Sequence, residues 1–293
     1  MFFKLFKKIN SLLFGKNLGR IPGLRTLHSF LYDFLKPKGE IVAEVNGFKM
    51  FLNTSDQGEV KDILLRGVYD KFEGEVIKNC LRPGDIALDI GAHIGYFALI
   101  LAKTVGKTGQ IFAFEPEPKS FSLLSRNVEV NKFQNIVLEN IALSSVSGKS
   151  TLFLDRDNLG NMSFASQNIP SDSLSGKIEV ESQTLDNYMK KIRGKASFIK
   201  IDVQGAEGLV FEGGKEVLKN HKPVILMEFW PYGLKNNGTN PMNLLILLHN
   251  IGYRFFVLDT KSQQLKPKNP VDLMMVSANR EGGKGWANVL CKT

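Results

Sequence analysis

Short apolar runs alternate along this chain with stretches in which apolar residues recur every three or four positions. DIALDI (85–90), QIFAFE (110–115), NIVLEN (135–140), SFIKID (197–202) and PVILMEF (223–229) are nearly continuous apolar runs of strand length. Between or after them, GYFALILAK, SFSLLSRNVEVN, a segment starting near Ala206 and MNLLILLHN carry helical spacing. Runs of this kind, separated by helices, predict a parallel sheet covered on both faces. YRFFVLD predicts another strand, and either VDLMMVS or ANVLCKT closes the sheet. The expected fold class is α/β and Rossmann-like, with a mostly parallel seven-stranded sheet. A polar insertion, residues 144–196, separates the third and fourth strands and holds the strand TLFLD and the loop NLGNMSFASQN.

Upstream of the sheet, EIVAEVNGFKMFLN sets two strand-like runs about Asn46-Gly47, the dipeptide of a tight hairpin. DILLRGVYDKFEGEVIKNC reads as one helix leading to the Pro83-Gly84 turn. At the start of the chain, Phe2, Leu5, Phe6, Ile9, Leu12 and Leu13 share one helical face, with Lys4, Lys7, Lys8 and Ser11 opposite. The expected organisation is a basic amphipathic segment over 1–39 and one domain over 40–293. Within that domain, a hairpin (40–53) precedes the core (54–230) and a C-terminal sheet completion (231–293).

Charge sharpens this division. The net charge is +9, yet residues 1–40 alone hold eight basic residues against two acidic ones, a net +6. The basicity belongs to the N-terminal segment, so no nucleic-acid partner is expected. An apolar face opposed by lysines predicts peripheral membrane contact through residues 1–14, or packing on protein. No apolar run approaches the ~18 residues of a membrane span. Lysines interrupt the first apolar stretch, which argues against a signal peptide. The two cysteines, Cys80 and Cys291, form neither a disulfide framework nor a zinc pattern. Unpaired thiols suit a reducing, cytoplasmic location.

The candidate chemistry starts at ALDIGAHIGYFAL (87–99), read as strand, glycine turn and helix. A ligand in such folds lies outside the carboxyl ends of the strands, against the turn. His93 and Tyr96 occupy positions where the dinucleotide fingerprint needs glycine to admit a pyrophosphate. A nucleoside without one fits better, and S-adenosylmethionine (SAM) is the expected cofactor. Asp89, Glu115, Asp202 and Glu228 all fall at or near predicted strand ends, which parallel strands bring to one edge. Isolated buried carboxylates are costly, so packing alone does not account for four of them. Glu115 suits the two ribose hydroxyls. Asp89 orients the turn and the methionine amino group. Asp202 is the first candidate for a general base that takes a hydroxyl proton, followed by Glu228 and His93. Lys200 faces the same side of its strand as Asp202. Glu207 either caps its helix or holds the acceptor. No metal is expected.

Taken together, LRPGDIALDIGAHIGYFAL, IFAFEPEP, NVEVNKFQNIVLENIALSS, SQTLDNYM, FIKIDVQGAEGLVFEGG and KPVILMEF resemble the FkbM-type SAM-dependent methyltransferases, over about residues 54–230. The resemblance implies a class I methyltransferase fold and O-methylation of sugar hydroxyls or polyketide-type products. By position, it implies that Asp89, Gly91, Ala92, His93 and Gly95 form the cofactor turn. Glu115 and Pro116 match the ribose-binding strand end, and Asn140, Ile141 and Ala142 match the segment beside the adenine. Asp202 and Glu207 match the acidic pair of its KIDVxGAE element. Gln204 stands where many members have glutamate, and Tyr69-Asp70 where Tyr-Glu is common. The expected reaction is SAM-dependent O-methylation of a sugar, glycan or glycolipid precursor, with loop 156–170 and the Tyr69–Glu73 region shaping the acceptor site. Asn158, Asn161, Ser163 and Gln167 suit hydroxyl recognition. The alternatives are an NAD-dependent sugar-modifying oxidoreductase and a non-catalytic membrane-associated protein on the same scaffold.

Overall fold

The computed structural model describes residues 2–13, 23–278 and 284–293, and the chain divides into two compact units, 1–69 and 70–293. Met1 and Phe14, the ends of the expected membrane-contact segment, lie outside the described residues.

In the first unit, α1 (Phe2–Leu13) and α2 (Leu24–Leu35) precede a hairpin of β1 (Glu40–Val45) and β2 (Phe48–Asn53), then α3 (Glu59–Arg66). Asn46 and Gly47 both take positive φ, as the two-residue hairpin turn requires. Phe3 and Phe6 of α1 pack against Tyr32 and His28 of α2, with ring centroids 6.2 and 5.3 Å apart. The aromatic side of α1 is therefore partly spent on α2, while Leu5 and Ile9 stay exposed. Exposed on α2 are Leu27, Phe30 and Phe34 at i, i+3 and i+7. No helix among the described residues is long and apolar enough to cross a membrane.

The second unit opens with α4 (Lys71–Cys80). One helix was expected to run from Asp62 to Cys80, but α3 stops at Gly67, which is left-handed at φ 72°. From α4 the chain runs through β3 (Ile86–Ile90), α5 (Tyr96–Val105), β4 (Gln110–Phe114), α6 (Pro118–Val130), β5 (Ile136–Glu139) and β6 (Ala142–Leu143). Next come β7 (Gly148–Asp155), β8 (Leu174–Gln183), α7 (Leu185–Met189), β9 (Ala196–Ile201), α8 (Glu207–Glu212), α9 (Lys215–His221) and β10 (Val224–Phe229). The unit ends with α10 (Pro231–Asn236), α11 (Pro241–Ile251), β11 (Arg254–Asp259), β12 (Gln264–Lys268), α12 (Pro270–Ala278) and β13 (Ala287–Lys292).

The main sheet has eight strands in the order β12-β11-β13-β10-β9-β3-β4-β5. Strands β10, β9, β3, β4 and β5 are mutually parallel, and β13 inserts antiparallel between β10 and β11. The seven expected strands are joined by an eighth, β12, paired along the edge of β11. QLKPK gave no strand signal because an edge strand needs no buried face, and its Pro267 is tolerated there. ANVLCKT supplies the closing strand, whereas VDLMMVS lies in α12. Within the insertion, β7 and β8 form a separate three-stranded sheet with β6, which directly precedes it, in the order β6-β8-β7.

Chain order reverses direction between β3 and β9, which opens a crevice at the carboxyl ends of those two strands. Ile90, Phe114, Ile201, Met227 and Phe229 pack beneath it in one apolar core. Sharp caps fix the helices that leave this edge. Glu117 accepts the Ser120 N–H at 2.6 Å with Pro118 in the first turn of α6, and Asn240 caps α11 ahead of Pro241 in the same manner.

Candidate active site

At the crevice, the turn after β3 is tied to the neighbouring strand ends by backbone hydrogen bonds. The N–H groups of Gly91 and Ala92 both donate to the Phe114 carbonyl, and Asp202 N–H donates to the Ile90 carbonyl. A Cβ on Gly91, at φ 82°, would lie 2.0 Å from the Asp202 carbonyl oxygen. Only glycine permits this approach of the first strand end to the fourth. His93 is also left-handed, at φ 49°.

Glu115 stands at the end of β4, buried at 7% exposure. Its Oε2 accepts the His93 N–H at 2.8 Å and its Oε1 accepts the Glu117 N–H at 2.9 Å. Burial raises its proton affinity, opposed by His93 and these two backbone donors. Each oxygen holds one N–H and retains capacity for a further donor. Asn140 donates its amide to the carbonyls of Glu115 and Pro116, at 2.8 and 3.1 Å, and so holds that strand end in place.

A cleft runs over this edge. Gly91, His93, Glu115, Pro116, Ile141, Ala142 and Asp202 line it, so seven of the expected site residues meet on one wall. Asp89, Ala92, Gly95, Asn140, Glu207 and Glu228 do not line it. Gly95 instead makes room for Leu124 of α6. The opposite wall comes from the insertion, with Leu152, Leu159, Met162 and Phe164, and the sequence offered no signal for that apolar cover.

The insertion loop's polar residues hold the loop itself. Asp155 accepts from the N–H groups of Asp157 and Asn158 and from the Asn161 amide. Asn158 accepts the Gly160 N–H. Ser163 and Asn168 both donate to the Gln204 carbonyl at 2.9 Å, fixing a residue at φ 52°. The expectation that Asn158, Asn161 and Ser163 read acceptor hydroxyls therefore gives way to a structural part in the loop.

Beside the cleft lies a buried charge cluster. Asp89 pairs in register with Lys200, and β10 runs beside β9 with Met227 opposite Ile201. Glu73 of α4, at 3% exposure, lies 4.0 Å from the Lys200 ammonium, and Asp202 lies 3.6 Å from it. Lys200 is itself 4% exposed and stands 4.8 Å from the Phe97 ring centroid. The amide of Asn288, paired with Glu228 across β13, donates to Glu73. Burial works against the Lys200 charge, but Asp202, Glu73, Asp89 and Glu228 together raise its pKa. Burial raises Glu228 well above the ordinary carboxyl range, reinforced by Asp202 and Glu207. Burial likewise raises Glu73, with Lys200 opposing. Lys200 was noted in the sequence only as sharing a face with Asp202, and no sequence signal pointed to Asn288.

Glu207 is 1% exposed. Its Oε1 accepts from Val203 and Gly205 at 3.1 and 3.4 Å, while its Oε2 is buried without a hydrogen-bond partner among the described residues. Burial lifts its pKa to about 7. Gln204 donates its amide to Asp202 at 2.9 Å. Among the described residues, no group of three or more His, Cys, Asp or Glu side chains is placed to hold a metal ion.

A family model, the methyltransferase FkbM domain, matches residues 89–255. Among curated relatives, "Methyltransferase 1" of Beauveria bassiana (strain ARSEF 2860) is 27% identical over 196 residues, 59% of this chain and 75% of that protein. The 2-O-methyltransferase NoeI of Sinorhizobium fredii (strain NBRC 101917 / NGR234) is 27% identical over 160 residues. That match covers 50% of this chain and 65% of NoeI, so the chain spans less than two thirds of that relative. Among solved structures, methyltransferase FkbM from Methylobacillus flagellatus KT is similar at a TM-score of 0.43 and 16% identity, over 81% of this chain and 55% of that one.

Proposed function

The chain belongs to the FkbM methyltransferase family, and from that premise we propose that it methylates a hydroxyl of a sugar, glycan or glycolipid precursor. The enzyme is a SAM-dependent methyltransferase. The cleft fits that cofactor. Glu115 offers a buried carboxylate with spare acceptor capacity for a ribose diol, and Phe114, Ile141, Leu143 and Met162 supply apolar walls for a purine. When bound, SAM supplies an electrophilic methyl group.

The chain's own residues supply the rest. A hydroxyl is a poor nucleophile while it keeps its proton, and a carboxylate within hydrogen-bond reach accepts that proton as the new bond forms. Asp202 lines the cleft and is assigned this role. Lys200 and the Gln204 amide orient it. Glu228, at the end of the adjacent strand, does not line the cleft, and burial favours its protonated form. Rigid placement of both reactants against these groups accounts for a large part of the acceleration.

The observation that carries the reading is the placement of Glu115 and Asp202 on the wall of one cleft. Calorimetric titration of the full chain with SAM, S-adenosylhomocysteine and NAD tests it, with Glu115→Ala alongside. SAM binding that weakens at least tenfold in the variant supports the reading. NAD binding without SAM binding replaces it with the oxidoreductase alternative. With SAM bound, Asp202→Asn is expected to keep cofactor affinity and lose turnover on the sugar acceptors that the wild type methylates.

The N-terminal segment extends the reading to a cytoplasmic position at a membrane surface. Its support is a net +6 within residues 1–40 and the exposed side chains of Leu5, Ile9, Leu27, Phe30 and Phe34.

A further inference from the structure

The chain has two tryptophans, and both fall at the sheet edge that carries the carboxylates. Strands β10 and β13 pair antiparallel with Glu228 opposite Asn288 and Phe229 opposite Ala287. Trp230 directly follows β10 and Trp286 directly precedes β13, so each flanks the last pair of that register. Trp230 is half-buried and Trp286 is 40% exposed. A large aromatic side chain left partly in water forgoes burial that a core position would provide.

Packing ties Trp230 to the loop that carries Asp202. A Cβ on Gly233 would lie 2.2 Å from the Trp230 ring, so the indole rests on bare backbone. A Cβ on Gly205 would lie 2.4 Å from the Gly233 carbonyl carbon, so these two backbones touch in turn. Two glycines thus bring the indole within one backbone layer of the Asp202–Gly205 loop. The ring is held in orientation as well, its Nε1 donating to the Lys284 carbonyl at 2.7 Å. Tyr232 extends the aromatic surface, with its centroid 5.8 Å from that of Trp230 and its ring tilted by 44°. The Lys284 ammonium lies 4.8 Å from the Tyr232 centroid, and the Tyr232 hydroxyl donates to the Gln167 carbonyl at 3.4 Å.

An oriented aromatic surface beside carboxylates matches one ligand chemistry in particular. A pyranose ring carries an apolar face of C–H bonds and a rim of hydroxyls. The indole desolvates the face, and Asp202, which lines the cleft, accepts from the rim. A flat heteroaromatic acceptor would match the indole and leave most of the carboxylate acceptors unanswered, at a cost in desolvation.

We infer that Trp230, Tyr232 and Trp286 form the acceptor subsite, a seat for a saccharide ring whose reacting hydroxyl faces Asp202. The inference rests on the reading of the enzyme as a sugar O-methyltransferase and names the surface that holds the sugar.

Both tryptophans belong to the subsite, so intrinsic emission reports on it directly. The full chain, saturated with S-adenosylhomocysteine, is titrated with the methyl glycosides of mannose, galactose, rhamnose and N-acetylglucosamine. At least one is expected to shift the emission saturably. For the sugar so found, Trp230→Ala and Trp286→Ala are expected to raise KM tenfold or more. kcat should stay within about twofold and SAM affinity should not change, and Trp230→Phe should recover most of the KM. Should Trp230→Ala fail to fold, the exposed Trp286 carries the test. A sugar that is methylated without moving the emission, with KM unchanged in both alanine variants, overturns the subsite and leaves the sugar reading standing. Phenols methylated in place of all four sugars overturn both.

Discussion

Replacing Glu207 with glutamine removes one titration and nothing else that the fold uses. In the wild type, Oε1 accepts from Val203 and Gly205, and a glutamine carbonyl does the same. The buried Oε2 has no hydrogen-bond partner among the described residues, and burial lifts the carboxyl from its ordinary 4.5 to about 7. Between those two values the folded chain holds a proton that the unfolded chain has released. Unfolding free energy therefore falls as pH rises through this window. Below it both states are protonated, and above it the loss is complete and constant. The shift corresponds to about 3 kcal/mol at full development.

Glu207→Gln should match the wild type at pH 4.5 and exceed it by up to about 3 kcal/mol at pH 8, a midpoint shift of about 1 M or more in urea. Glu73 and Glu228 titrate with the same sign in both chains, and the difference between the chains reports Glu207 together with its repulsion of Glu228. Equilibrium urea unfolding at both pH values is the measurement. Parallel stability profiles for the two chains, or a variant weaker at pH 8, would refute the reasoning, because either result means that the ionised carboxylate is well partnered. The outcome bears on chemistry too. A carboxyl about half protonated near pH 7 is a weakened proton acceptor, and burial raises Glu228 in the same direction, which leaves that duty to Asp202.

Lys200→Met strips the Lys200 cation from Glu73, Asp89, Asp202 and Glu228, and should cost about 3–5 kcal/mol; an unchanged thermal midpoint would show that those acids are neutral in the folded chain. Gly91→Ala forces a Cβ to 2.0 Å from the Asp202 carbonyl at a positive φ, so SAM binding by calorimetry should be lost and the thermal midpoint lowered. Joint substitution of Phe30→Ser and Phe34→Ser, at 65% and 73% exposure, should abolish flotation with phosphatidylglycerol-containing vesicles; equal flotation of both chains, or none by the wild type, sinks the membrane reading.

Much of the sheet was legible because each parallel strand is an apolar run buried on both faces, and such runs stand out against amphipathic helices. DIALDI, QIFAFE and PVILMEF appear as β3, β4 and β10 with ends moved by one residue at most. β12 was silent because an edge strand has no such burial to satisfy. The break between α3 and α4 was signalled by Gly67 alone, and a single glycine inside a helical pattern is ambiguous. The N-terminal helix was legible as amphipathic, but periodicity does not say what covers a face. Phe3 and Phe6 turn to Tyr32 and His28, and the exposed stripe at Leu27, Phe30 and Phe34 belongs to α2.

The cofactor side of the site follows the same logic, since strand ends are where local pattern and chemistry coincide. Glu115 and Asp202 could be placed on one edge from their strands alone. The acceptor side could not, because its residues meet through long-range contacts that no local pattern encodes. Glu73 and Asn288 are 215 positions apart and hydrogen-bonded. Polarity also misled. Asn158, Asn161 and Ser163 looked suited to hydroxyls, yet they close their own loop and clamp Gln204. On the proposed acceptor subsite, specificity would rest on the antiparallel end of the sheet, where β10 leads into Trp230 and Trp286 leads into β13.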